Sequence, residues 1–477
     1  EENMKIKNKA VYLMSIISLL GGLTGCGNNK SDGVEVIFWH TFGKTIITEL
    51  ESHISEFEDY IQQTEGKKVK VTLKYQGGYD DILRKVRDGF SVGTTPTMAI
   101  AYPDHVAEYM QAEKTPGQFV VNLDNYMNDP EYGFGTEEKM GDTAGKDDIV
   151  ADFLAEGQQY KNSGTYSLPL MKSTEIMFYN KTLVQKVFSY YNPSILGDQI
   201  DEFMSTMTWS QFMDICKVAV EHKSDISPTL EEPFRYDSDS NFFITQLSQS
   251  GYNFLSTDES GNPVLAFDSA EAKEVVRGLK ANYDEGLFTT KGVEGTYGSD
   301  AFTKGECIFT VGSSGGAGYN FPTGDSFEVG IAKVPAISNE KAKYITQGPT
   351  VTLLRNSKLS DEKNDEAVKY GWRFLKYLLT PNVNVSICIN SEGYIPVRES
   401  CYKTEDYNTF LDSGIELSRC ASVVINQIDG HYITNPVFKG SATARNEAGG
   451  ILTQVFLGNK TIDAAFSDAV NQTRLAM

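Results

Sequence analysis

The chain has 477 residues, enough for two or three domains with real cores. Its 11% aromatic and 22% charged residues exclude a disordered chain, and 43 basic against 64 acidic residues (net charge −21) leave no basic face for nucleic acid. A local positive pocket for a small anion remains compatible with that overall charge. None of the six cysteines shows CxxC spacing, so zinc and thioredoxin-like chemistry have no support. Five of them are expected as small buried apolar residues, and neither a cofactor nor a metal is expected.

The N-terminus reads as an address. Lys5, Lys7 and Lys9 precede an uncharged apolar run, Val11–Leu20. That run is shorter than the ~20 residues a membrane span needs and fits the core of a signal peptide. It ends in Leu23-Thr24-Gly25-Cys26, which resembles a bacterial lipobox. Residues 1–25 are therefore expected as signal peptide, Cys26 as the lipidated residue and 26–33 as a small polar tether. The expected location is extracytoplasmic, lipid-anchored to the outer face of a bacterial cell membrane.

Beyond the tether, Glu35–His40 reads as a buried strand. Ile46, Leu50, Ile54, Phe57 and Ile61 then recur at helical spacing. Lys68–Tyr75 alternates polar and apolar residues, a half-buried strand. A short amphipathic helix over Asp80–Phe90 and a strand over Pro96–Tyr102 complete a strand–helix–strand–helix–strand order, which implies a parallel sheet with crossover helices. In such sheets ligands sit beyond the carboxyl ends of the strands. Tyr75–Asp80 and Tyr102–His105 occupy two of those ends; each is a ligand rim or a half-packed tyrosine beside a helix-capping aspartate. His40 and His105 are read as structural.

Residues 112–165 are loop-rich. Tyr166–Asn180 is two extended apolar pieces joined at Met171-Lys172-Ser173-Thr174, as a chain crossing between lobes would be. Thr208-Trp209-Ser210-Gln211 and Asp268-Ser269-Ala270-Glu271 are capping patterns that open helices to Val220 and about Asp284. Cys307–Val311 reads as a strand running into the glycine-serine turn 312–318, either an ordinary tight turn or a concave nest of N–H donors for a phosphate, carboxylate or sugar hydroxyl. Phe327–Val334 is a further strand and Thr346-Gln347-Gly348-Pro349 a turn. A helix over Ala367–Leu379, limited by Pro381, precedes the compact turn Gly393–Pro396. Arg445 stands near the start of a helix ending around Gly458, and a last helix runs from Thr461.

Several of these segments, in this order, match one family. Ile37–His40 (IFWH), Tyr179–Leu183 (YNKTL), Thr208–Phe212 (TWSQF), Phe302–Gly315 (FTKGECIFTVGSSG) and Glu392–Val397 (EGYIPV) make the mature chain resemble the extracellular solute-binding proteins of ABC transporters that bind sugars and glycerol-phosphates. The resemblance implies an α/β, two-lobed periplasmic-binding-protein-like (type II) fold with three inter-lobe crossovers. Lobe 1 is expected over 34–171 and 341–380, and lobe 2 over 172–340 and 381–477. Ligand residues of the family's glycerol-3-phosphate binders match here at Tyr79, Ser173, Trp209, Ser313, Gly348, Tyr394 and Arg445. Where those proteins place a glutamate after the third strand, this chain has Pro103 and Asp104, which makes Asp104 the candidate carboxylate.

The function implied is capture of glycerol-3-phosphate or a glycerophosphodiester by cleft closure, with delivery to a membrane permease and no chemistry on the ligand. A neutral sugar or oligosaccharide is the alternative ligand. A secreted glycoside hydrolase is the rival from another class. It needs two carboxylates ~5–10 Å apart across a sugar, for which no local signature exists, and the sequence is read as having no GxSxG, HExxH or Walker A motif. A monomer is expected.

Overall fold

The first sheet follows from the patterning just described. The computed structural model describes residues 33–324, 326–433 and 435–477; the leader and the Cys26 lipidation site lie outside the described residues. Strand β1 (Val34–His40) buries Val34, Val36, Phe38 and His40 and leaves Glu35 exposed. Helix α1 (Lys44–Glu65) buries Leu50, Phe57 and Ile61 on one stripe. Strand β2 (Val69–Tyr75) runs parallel to β1, α2 (Tyr79–Val92) follows it, and β3 (Met98–Ala101) lies parallel on the other side of β1. Helix α3 (Pro103–Gln111) starts directly after β3, with Pro103 at a first-turn position where no N–H is needed.

The remaining strands are β4 (Leu168–Pro169), β5 (Ser173–Asn180), β6 (Phe234–Tyr236), a small hairpin of β7 (Ser256–Thr257) and β8 (Pro263–Val264), β9 (Phe288–Thr290), β10 (Phe309–Ser313), β11 (Val329–Ala332), β12 (Thr346–Gln347) and β13 (Thr350–Leu353). One sheet has the order β2-β1-β3-β13-β4 and the other β11-β5-β10-β6-β9, with β12 paired to β5. These are the two lobes. The chain passes from the first sheet to the second between β4 and β5 and returns between β12 and β13. It crosses a third time after helix Pro381–Ile389, which packs on α1, to reach helix Glu416–Ile428, which packs on β5 and β11.

Each sheet has its own core. Phe57 of α1 meets Phe374 of helix Asp361–Leu378 with ring centres 5.2 Å apart over the first sheet. On the second, Phe212, Phe234, Phe242 and Phe309 form an edge-to-face cluster. Full burial of each such ring contributes about 1.5–3 kcal/mol. The five described cysteines are free and buried.

The structure departs from the sequence reading in three places. The glycine-serine turn folds as two short 3-10 turns within Ser314–Asn320, kinked at Gly316, instead of an open nest. The helix expected at Ala367 begins at Asp361, where Ser360 caps it. The polar stretch 131–148 is pinned by buried charge: Asp142 lies 3.7 Å from Lys376 and 3.6 Å from Arg398, all three side chains sealed from solvent. Burial pushes the Asp142 carboxyl up. Removing one partner of such a group typically costs about 3–5 kcal/mol.

Candidate functional site

At the carboxyl end of β3, Tyr102 precedes α3 in extended backbone, so its ring is free to lie across the strand ends. It stacks on Tyr79, the first residue of α2, with ring centres 4.0 Å apart and planes within 11°. The Arg445 guanidinium covers the other face, 4.8 Å from the ring centre. Burial raises the phenol of Tyr79 and that of Tyr102 above the ordinary range, so both remain neutral donors. Beneath them His105 is buried, neither ring nitrogen has a partner, and desolvation lowers its pKa to about 4.

Arg445 belongs to helix Ser441–Phe456 of the second lobe, and its Nη2 reaches Asp104 Oδ2 on α3 of the first at 2.9 Å. Its Nε is buried with no partner among the described residues. One turn further along α3, Glu108 Oε1 accepts the Gly440 N–H at 2.8 Å. Gly440 is the N-cap of Ser441–Phe456, and that helix has neither a capping side chain nor an acid in its first turn. Two carboxylates of one lobe thus hold the start of a helix of the other.

Between these elements lies a cavity of about 160 Å³ lined by residues of both sheets and of the crossovers. Tyr102, Asp104 and Glu156 come from the first lobe, Asn241, Phe254 and Arg445 from the second, and Lys172, Gln347 and Gly348 from the crossovers. Lys172 is buried; its Nζ lies 2.7 Å from Glu156 Oε2, while Glu156 Oε1 accepts the Thr346 hydroxyl at 2.7 Å. One carboxylate therefore ties both crossovers to helix Ala151–Glu156. Gly348 has φ +119°, and a Cβ there would overlap the Met171 carbonyl oxygen, so the two crossovers pass each other only with glycine at this position.

Of the eight positions singled out in the sequence, Asp104, Gly348 and Arg445 line this cavity and Tyr79 supports Tyr102 from behind. Ser173 pairs with Gln347 across β5 and β12, and its hydroxyl accepts from Ser313 Oγ at 3.5 Å. Ser313 also accepts the Gly315 N–H, capping its own turn. Tyr394 packs over Gly315, where a Cβ would run into its ring. Trp209 lies apart, in the aromatic core of the second lobe, with its Nε1 donating to Gln249 at 3.0 Å. Gly312–Gly316 carries G-x-S-x-G spacing, which corrects the sequence reading that this motif is absent. Its central Ser314 is fully buried and accepts the Thr174 N–H, the position of a packed serine and not of an exposed nucleophile.

Sequence reasoning missed Glu156, Lys172, Asn241 and Gln347. Lys172 left a signal: a charge inside an apolar extended run, which holds one other at Glu175, requires a buried partner. Behind the cavity wall, Glu175 accepts from Tyr236 Oη at 2.6 Å and from Asn241 Nδ2 at 2.9 Å. Burial pushes the Glu175 carboxyl up to about 7 and that of neighbouring Asp237 up to about 6.

With this geometry in place, comparison with known proteins is informative. Residues 54–410, well over half the chain, match the family model described as bacterial extracellular solute-binding protein. No match was found among curated protein sequences. Among solved structures, UgpB from Mycobacterium tuberculosis in complex with glycerophosphocholine is similar with TM-score 0.68 and 18% identity over 93% of this chain and 98% of that one. The GacH receptor of Streptomyces glaucescens GLA.O, solved unliganded and with acarbose, is similar with TM-score 0.68 and 16% identity over 93% and 98%. The cyclic α-maltosyl-1,6-maltose binding protein from Arthrobacter globiformis gives TM-score 0.67 and 18% identity over 93% and 99%. At these identities the likenesses establish the two-lobed fold, and the family match identifies the chain: it belongs to the bacterial extracellular solute-binding proteins.

Proposed function

We propose that this protein captures glycerol-3-phosphate or a glycerophosphodiester outside the cytoplasm and hands it to an ABC permease without changing it. One observation carries the reading. Arg445 stands between the lobes on the face of Tyr102, and its buried Nε–H has no acceptor among the described residues. A phosphate supplies acceptor oxygens to a planar guanidinium in matching geometry. The adjacent Asp104 carboxylate holds the guanidinium in place through Nη2, and Phe254 lines the cavity for the carbon chain. The cavity is smaller than the ~300–1,000 Å³ of drug-sized pockets, which favours a small solute. UgpB, solved with glycerophosphocholine, has the same fold.

A neutral sugar is the second reading. Asp104 and Glu156 balance Arg445 and Lys172, and Phe254 offers the apolar face a sugar ring needs. Calorimetric titration with glycerol-3-phosphate, glycerophosphocholine and maltotriose separates the two. The Cys26 anchor belongs to the same proposal: label from an alkyne fatty acid should enter the wild-type chain in a bacterial host, and Cys26→Ala should abolish it.

A further inference from the structure

Two side-chain amides in the cavity wall have no role in the reading above. Gln347 sits on β12, at the crossover, with its backbone paired to Ser173. Among the described residues its Oε1, shielded from solvent, has no partner and its amino end makes no hydrogen bond. A buried polar group left in this state is a standing cost to the folded protein unless something else completes it. Asn241, in the first turn of helix Asp239–Gln249, is the complementary case. Its Nδ2 is spent on Glu175 Oε1 at 2.9 Å, and Glu175 is itself held by Tyr236, so the amide is fixed with its carbonyl end left over. Asn241 Oδ1 accepts no hydrogen bond among the described residues, and the residue lines the cavity.

We infer that Gln347 and Asn241 form a hydroxyl-reading pair: two amide carbonyls, one on the crossover and one on the second lobe, that accept from adjacent hydroxyl groups of the ligand. This rests on the cavity being the ligand site and narrows the ligand class to one that brings donors as well as an anion. The two amides demand donors just as Arg445 Nε demands an acceptor. A simple alkyl phosphate leaves both carbonyls unpaired, whereas a glycerol-phosphate satisfies them. Because β12 pairs with β5 at the crossover, a contact to Gln347 is also a contact to the segment that bends when the lobes move.

The test compares glycerol-3-phosphate with n-propyl phosphate, which lacks both hydroxyls, by calorimetric titration of wild-type, Gln347→Leu and Gln347→Glu protein. At about 10-fold per amide carbonyl left without a donor in the occupied site, the wild type should prefer glycerol-3-phosphate by about 100-fold. Gln347→Leu should lower that ratio to about 10-fold through weaker glycerol-3-phosphate binding. The ligand-free variant should melt no lower than wild type, since the amide has no partner to lose. Gln347→Glu keeps an acceptor of the same shape and should keep the ratio even where both affinities fall. A ratio unchanged in Gln347→Leu overturns the inference. If neither phosphate binds but maltotriose does, the phosphate reading alone fails. The inference then stands on a roughly 10-fold loss of maltotriose affinity in Gln347→Leu and falls without it. If the wild type binds none of the three, both fail.

Discussion

Replacing Glu175 by glutamine should change how stability depends on pH, by an amount the structure sets. Glu175 is buried between Tyr236 and Asn241, and its carboxyl is pushed from the ordinary 4.5 to about 7, burial being the largest cause. Below pH 4.5 the folded and unfolded chains both hold the proton, and the group costs nothing. Between 4.5 and about 7 the unfolded chain releases it while the folded chain retains it, so stability falls as pH rises through this window. At about 1.4 kcal/mol per pH unit the full penalty is about 3 kcal/mol above pH 7. Glutamine has nearly the same shape, keeps one acceptor, and has no proton to lose. The opposite trend comes from His40 and His105, both lowered to about 4, whose neutral buried forms lose stability as pH falls below 6.5. That term is common to both proteins and cancels in their difference. Thermal melts at pH 5 and pH 8 should therefore show Glu175→Gln gaining about 3 kcal/mol on wild type between the two, or about 3 °C for a chain of this size. Parallel behaviour of the two proteins across that interval would refute the assignment of Glu175 as a carboxyl protonated by burial.

Three further outcomes follow from single contacts. Gly348→Ala should destabilise by about 3 kcal/mol or more, because it adds a left-handed backbone penalty to an overlap with Met171; a urea midpoint equal to wild type would contradict this. Glu108→Gln removes the charge that caps helix Ser441–Phe456 from the other lobe and should cost about 0.5–1 kcal/mol, with a larger radius of gyration in small-angle scattering of the ligand-free protein; an unchanged radius would show that the lobes are held elsewhere. Trp209→Phe loses the Gln249 hydrogen bond and part of a packed ring, so it should lower the melting temperature while leaving ligand affinity within about 2-fold; a loss of affinity at unchanged stability would place Trp209 at the ligand.

The first lobe was legible because its strands are half-buried. Val69, Val71 and the exposed lysine between them report their own faces, and the α1 stripe reports its period. Caps were legible for the same local reason: Thr208 and Gln211 exchange the hydrogen bonds their spacing requires. The fully buried β5 was legible as an extended apolar piece, but helices Lys181–Tyr191 and Asp239–Gln249 went unread although Asn180 and Ser238 cap them. The glycine-serine turn misled because its backbone freedom is used for close packing under Tyr394, a residue far away in the chain. Of the residues lining the candidate cavity, Asp104, Gly348 and Arg445 were singled out through family resemblance alone. Nothing local predicts that Asp104 meets Arg445, that Glu156 ties Lys172 to Thr346, or that Glu175 orients Asn241, since each pair forms only when distant segments close on one another.

The most direct test of an anion-reading cleft is calorimetric titration of glycerol-3-phosphate and maltotriose into wild-type and Arg445→Ala protein. The prediction is saturable glycerol-3-phosphate binding to the wild type, weakened about 100-fold in Arg445→Ala by loss of a charge-assisted guanidinium–phosphate contact worth about 3 kcal/mol. Binding of maltotriose in place of glycerol-3-phosphate, or glycerol-3-phosphate affinity indifferent to Arg445, would contradict it.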